Sequence, residues 1–172
     1  MKGFPKAILF ILVVFAASTC FVSAASFETD RFDVSVEVYG NNSWRVTETI
    51  SMNFVENSHG IYRYIPYKGY MYYEDGAEPV KQYYKLNITD VEIPGYQYEK
   101  LYENNSILLK IGDADTYVKG PLTYEISYLV TAHEDGIESF DQFYWGLLST
   151  DWNTSIDEGS FRVIMPGAFM SE

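Results

Sequence analysis

The sequence is poor in the residues that carry most enzyme chemistry. It holds one cysteine and two histidines in 172 residues. Cys20 falls in an apolar N-terminal segment, and His59 and His133 have no metal-ligand spacing between them. A zinc motif, a nucleophile elbow and a phosphate-binding loop are all missing. Long apolar runs are equally scarce. The only one, residues 7–17 (AILFILVVFAA), is shorter than the roughly 20 residues that span a bilayer. Beyond it no stretch keeps a helical apolar period of useful length, which argues against a helical bundle. Cations are few: 12 Lys and Arg face 24 Asp and Glu, for a net charge of −12. Such a surface repels nucleic acid and anionic headgroups, and suits solubility, cation binding or a basic partner.

What is present at the start is a leader. Lys2 and Lys6 precede the apolar run, and Val22-Ser23-Ala24 supplies small residues where a signal peptidase cuts. Residues 1–24 therefore read as a signal peptide, cut after Ala24 or one residue later. A retained anchor is the alternative. Lipidation of Cys20 is not expected, because Thr19 is a poor fit for the small residue such sites need. The leader holds two lysines and no acid. Its removal leaves 24 acidic and 10 basic residues, a net charge of −14, and no thiol. The mature domain, residues 25–172, must then be held by a packed core rather than by disulfides, and lies outside the cytoplasm.

Aromatic residues make up 17% of the chain, 16 of them tyrosines, which favours pleated, half-buried surfaces. Phe32, Val34, Val36 and Val38 alternate with polar residues, and Gly40-Asn41-Asn42-Ser43 is turn chemistry before a second strand from Trp44 to about Phe54. Residues 84–93 are strand-like, with a slip near Asp90 that suggests a bulge. Ile107, Leu109 and Ile111 alternate; Leu122, Tyr124, Ile126, Tyr128 and Val130 form the clearest strand; Phe161, Val163 and Met165 form the last. Short strands between turns predict an all-β fold, a β-sandwich of immunoglobulin-like or related Greek-key topology. Residues 68–81 read as an irregular excursion between strands. The chain stops at Ser171-Glu172 just after a strand, as a fragment of a longer protein would.

Glu48 breaks the pattern. It falls on the same strand face as Trp44, Val46, Ile50, Met52 and Phe54. A carboxylate among core residues is costly unless paired, and Arg63, able to hold it with two parallel bonds, is the natural partner. The pair either clips one segment to the sheet, the reading favoured here, or lines a site. Tyr62, Tyr64, Tyr67, Tyr70, Tyr72 and Tyr73 form a cluster that either packs a loop or offers a ligand-binding patch, since tyrosine gives large contact area at low entropy cost. Asp113 and Asp115 flank Ala114 in a turn. They are the one calcium candidate, against ordinary turn chemistry, and no metal or other cofactor is expected. Trp145 and Trp152 read as core plugs, and Asp141, Tyr144 and Asp151 lie near them. The two aspartates are a possible carboxylate pair, but no spacing rule singles them out. His59 beside Gly60 reads as a turn residue. Sequons occur at Asn41, Asn87, Asn104 and Asn153.

The run Trp44-Arg45-Val46-Thr47-Glu48-Thr49-Ile50, followed by His59-Gly60-Ile61-Tyr62-Arg63-Tyr64-Ile65-Pro66, resembles the signature of the domain of unknown function 2207 family, the YciQ-like predicted membrane proteins. Ile111-Gly112-Asp113-Ala114-Asp115, Gly120, Tyr124, Ile126, Ser127, Tyr128, Tyr144, Trp145 and Trp152 extend the likeness. The resemblance implies an extracytoplasmic N-terminal β-domain, anchored in the membrane through a later region that this chain lacks. It carries no established activity. It also implies that Glu48 and Arg63 belong to a shared structural signature. The function expected is non-enzymatic interaction or sensing at the cell surface, with a protein or envelope polymer as partner. The alternatives are a carbohydrate-binding module that uses the tyrosine segment, and a carboxylate-dependent hydrolase.

Overall fold

A computed structural model of the protein describes residues 26–75, 78–133, 143, 145–148, 152 and 154–167. Among them are nine strands and no helix: β1 (Phe27–Tyr39), β2 (Ser43–Ser58), β3 (Gly60–Pro66), β4 (Lys68–Asp75), β5 (Glu78–Glu92), β6 (Tyr98–Glu103), β7 (Ser106–Gly112), β8 (Val118–Ala132) and β9 (Ile156–Ile164). They form the expected all-β sandwich. A six-stranded sheet of order β4-β5-β8-β2-β1-β9 faces a three-stranded sheet of order β3-β7-β6. β9 runs parallel to β1 along one edge, while the β1–β2 pair is antiparallel.

Period-two alternation selects the core. Phe32, Val34 and Val36 of β1, Val46, Ile50, Met52 and Phe54 of β2, and Ile126 and Val130 of β8 turn inward together. The β1 register shifts between Thr29 and Arg31, so Thr29 joins the inward face despite its odd position. Ile61 and Ile65 of β3 and Ile107, Leu109 and Ile111 of β7 close the core from the smaller sheet. The slip near Asp90 is a bulge: Asp90 has φ 48, and the β5–β8 register shifts between Thr89 and Glu92.

The expectation for residues 68–81 is corrected. They form β4 and the start of β5, with Tyr70 opposite Tyr83 and Tyr72 opposite Lys81. The aliphatic alternation that marks the other strands is missing here. A cross-strand ring pair, Tyr70 with Tyr83, and Lys81 over Tyr70 and Tyr72 link the two strands instead. Phe161 and Val163 lie in a strand as read, but on the outermost one, where they are 72% and 38% exposed.

The chain changes sheets at a sharp corner. Ser58 still pairs with Val118 of β8, whereas Gly60 pairs with Gly112 of β7. Gly60 and Gly112 have φ of 123 and 133, and a Cβ on either would collide with the other strand's backbone carbonyl, that of Ile111 or of His59. Two glycines face each other because nothing larger fits. The corner carries β3, and with it Arg63, beneath β2.

Candidate functional site

Two places hold chemistry, one sealed and one open. The sealed one is where the sheets meet. Glu48 and Arg63 are brought together at 1% and 2% exposure. Arg63 Nε donates to Glu48 Oε2 at 2.7 Å and Nη2 donates to Oε1 at 2.8 Å, a bidentate fork. Nη1 donates to the Tyr64 carbonyl at 2.6 Å. The guanidinium lies over the Phe32 ring, 5.5 Å from its centroid. Tyr128 of β8 completes the group by donating its hydroxyl to Glu48 Oε1 at 2.6 Å. Burial, and then the neighbouring Glu48 charge, hold the Tyr128 hydroxyl well above the ordinary phenol range, so it stays protonated and donates. One acid, one cation and one hydroxyl satisfy each other away from water. Such a group can fix the register and spacing of two sheets. Its two charged side chains are closed off from solvent.

Tyr128 is the member that sequence reasoning missed. A buried tyrosine usually takes a polar partner, but strand alternation does not say whether its hydroxyl is used or by what. Tyr124, four residues earlier on the same face, shows the contrast. Its hydroxyl has no hydrogen-bond partner among the described residues, and burial pushes it up to about 12, with Tyr96 adding to the effect.

The open place is the β4–β5 hairpin. Cross-strand register puts Lys68, Tyr70 and Tyr72 of β4 beside Lys85, Tyr83 and Lys81 of β5 on one face. Tyr70, Tyr72 and Tyr83 are 58%, 65% and 54% exposed. Tyr70 and Tyr83 meet edge to face with centroids 5.5 Å apart, and Lys81 Nζ stands 4.1 Å from the Tyr70 centroid and 5.8 Å from that of Tyr72. At the hairpin base Tyr67, Lys68, Tyr83, Lys85 and Tyr102 line a groove of about 310 Å³ with Ile107 at its floor.

The tyrosine cluster is thus divided. Tyr70 and Tyr72 share the hairpin face. Tyr67 packs edge to face on Tyr102 at the groove. Tyr62 and Tyr64 are on β3, beside a second opening of about 780 Å³ that Phe27, His59, Lys110 and Trp152 also line. The Tyr73 side chain, Asp141, Tyr144, Asp151 and Asn153 lie outside the described residues. The Asp113 carboxylate accepts the Asp115 backbone N–H at 2.8 Å, a turn contact, and no group of three metal-ligating side chains gathers among the described residues. His59 is at the corner, its ring 4.2 Å from that of Tyr117 and its Nδ1 within reach of the Asp113 and Thr116 carbonyls. Trp145 packs on Trp44 and Tyr128, and Trp152 packs on Phe27 and Phe32 while donating to Thr29 Oγ1 at 3.0 Å.

Fold and site together define a β-sandwich domain pinned through its core by a buried ion pair. Residues 28–171 match the family described as predicted membrane protein (DUF2207), N-terminal domain, and the chain belongs to that family. No curated protein matches it. Among solved structures it is similar to yeast leukotriene A4 hydrolase, at 18% identity and TM-score 0.38, over 62% of this chain and 15% of that one. It is also similar to an M1 zinc metallopeptidase from Deinococcus radiodurans, at 8% identity and TM-score 0.37, over 64% of this chain and 22% of that one. This chain thus spans less than a quarter of either enzyme. No helix among the described residues is long and apolar enough to cross a membrane.

Proposed function

We propose that this is a non-enzymatic recognition domain of a membrane protein, exposed outside the cytoplasm, that binds an envelope polymer or a surface protein through its tyrosine-rich hairpin. The observation that carries this reading is a separation of chemistry. The fully buried acid–base group is self-satisfied, while the alternate, solvent-facing side chains of residues 68–72 and 81–85 are rings and lysines. Binding surfaces favour tyrosine for this reason: a large rigid contact, part apolar and part polar. The membrane-protein family and the leader at residues 1–24 support the location.

Two measurements test it. Protease added to intact cells must cut the domain without lysis. Purified envelope must sediment the protein, and Tyr70→Ala with Tyr72→Ala must release it. Protection from protease until lysis, or sedimentation indifferent to both tyrosines, contradicts the proposal.

A further inference from the structure

The hairpin face carries more than tyrosines. Three of the ten cations outside the leader, Lys68, Lys81 and Lys85, stand on it, on a chain whose net charge is −12. The same outward face continues with Asn87 and Thr89 of β5, registered against Thr131 and Leu129 of β8, all uncharged. The hairpin's own acids, Glu74, Asp75 and Glu78, are at its far end in sequence. Asp90 and Glu92 lie beyond Thr89 on β5, so between these ends, over residues 68–72 and 81–85, every charged residue is a lysine, opposite in sign to the net charge of the chain.

We infer that this face binds an acidic saccharide chain, laid along β4 and β5 over Tyr70, Tyr72 and Tyr83. The inference rests on the recognition reading above and names its ligand class. Each part of the surface matches one part of such a ligand. A pyranose ring presents C–H groups on one face, and these stack on phenol rings. Its ring hydroxyls accept and donate hydrogen bonds to tyrosine hydroxyls. Its carboxylate or phosphate groups pair with ammonium groups. From Lys68 to Tyr72 the strand rises roughly 13 Å, a length that suits a short run of sugar rings. Lys81 stands over two rings and so presents its charge at the centre of the strip.

Charge geometry favours a thin chain over a membrane plane. Screening at physiological salt acts within about 8 Å, so a chain lying on the hairpin feels mainly the hairpin. A bilayer carrying anionic headgroups meets the whole facing surface of an acidic molecule and is repelled.

The test is affinity electrophoresis of the folded protein in gels holding polygalacturonate or neutral dextran, with vesicles of phosphatidylcholine and phosphatidylglycerol as a third arm. Expected is retardation by polygalacturonate, little by dextran, and no sedimentation with vesicles. The triple change Lys68→Gln, Lys81→Gln, Lys85→Gln should weaken retardation at least about tenfold, and Lys→Arg at the same positions should restore it. Tyr70→Ala with Tyr83→Ala should weaken it independently. The three lysines bear on solvent, so their variants should keep the melting temperature, and loss of the Tyr70–Tyr83 ring pair should lower it by no more than a few degrees. For the unmutated protein, raising salt to about 0.5 M should also weaken retardation. Equal retardation by dextran, or binding unmoved by the lysine changes, overturns the acidic ligand and leaves the recognition domain standing. Vesicle binding alone makes the face a membrane contact and overturns it too. Loss of envelope sedimentation together with every form of retardation removes both readings.

Discussion

At the residue scale, Glu48 sets the terms. A carboxylate at 1% exposure persists only because Arg63 and Tyr128 occupy its oxygens. Glu48→Gln removes the charge and leaves the guanidinium buried without its counter-ion. The expected loss is about 3–5 kcal/mol, a fall in melting temperature of roughly 10 °C, read by calorimetry. Tyr128→Phe removes one hydrogen bond to a charged group and should cost about 2 kcal/mol. No change in melting temperature for Glu48→Gln contradicts a structural ion pair. The two core tyrosines also fix a pH dependence. Their hydroxyls titrate higher in the folded state than in the unfolded chain, near 10 there. Above that pH the unfolded chain binds fewer protons, so stability is fully present below about 10 and falls as pH climbs toward the raised folded values. Chemical denaturation across that range should show the fall, and Tyr124→Phe should reduce its slope. Glu48 and Arg63 were legible in sequence because burying an acid demands a partner and few cations are near. Tyr128 was not legible, because a tyrosine on a strand face satisfies the strand pattern whether or not its hydroxyl is used.

At the scale of elements, the sheet-switching corner is the tightest constraint. Gly60 and Gly112 touch backbone to backbone and both have positive φ. Gly112→Ala places a methyl against the His59 carbonyl in a conformation that L residues rarely adopt. A loss of about 2 kcal/mol or more is expected, with early proteolysis around β3 as the readout. Most strands were legible because one face is core and the other wet, so β1, β2, β7 and β8 announce themselves by period two. The β4–β5 hairpin failed that criterion. Its outward face is Tyr and Lys, its inward face includes Gly69, Met71 and Gln82, and no aliphatic rhythm survives. Tyrosine enrichment itself was the strand signal there. β9 shows the opposite case. Its alternation reads as a half-buried strand, yet it forms the sheet's outer edge and Phe161 remains exposed.

At the scale of the molecule, sequence and family agree on a membrane protein's N-terminal domain. The leader adds a specific expectation: the N-terminus of the protein from its native host should begin at Ala25 or Ser26, by Edman sequencing or mass spectrometry. A chain that still begins at Met1 contradicts cleavage and supports a retained anchor. On the proposed reading, export, an acidic composition and an exposed basic–aromatic hairpin belong to one design. The core holds a buried ion pair, and the proposed recognition surface is at the sheet edge. The most direct test compares two variants side by side, Glu48→Gln and the pair Tyr70→Ala with Tyr83→Ala, each measured for melting temperature and for sedimentation with purified envelope. The expected result is a double dissociation: Glu48→Gln melts roughly 10 °C earlier yet binds normally while folded, and the tyrosine pair melts within a few degrees of the parent but loses binding. Loss of binding in Glu48→Gln at an unchanged melting temperature would instead make the buried group the functional site.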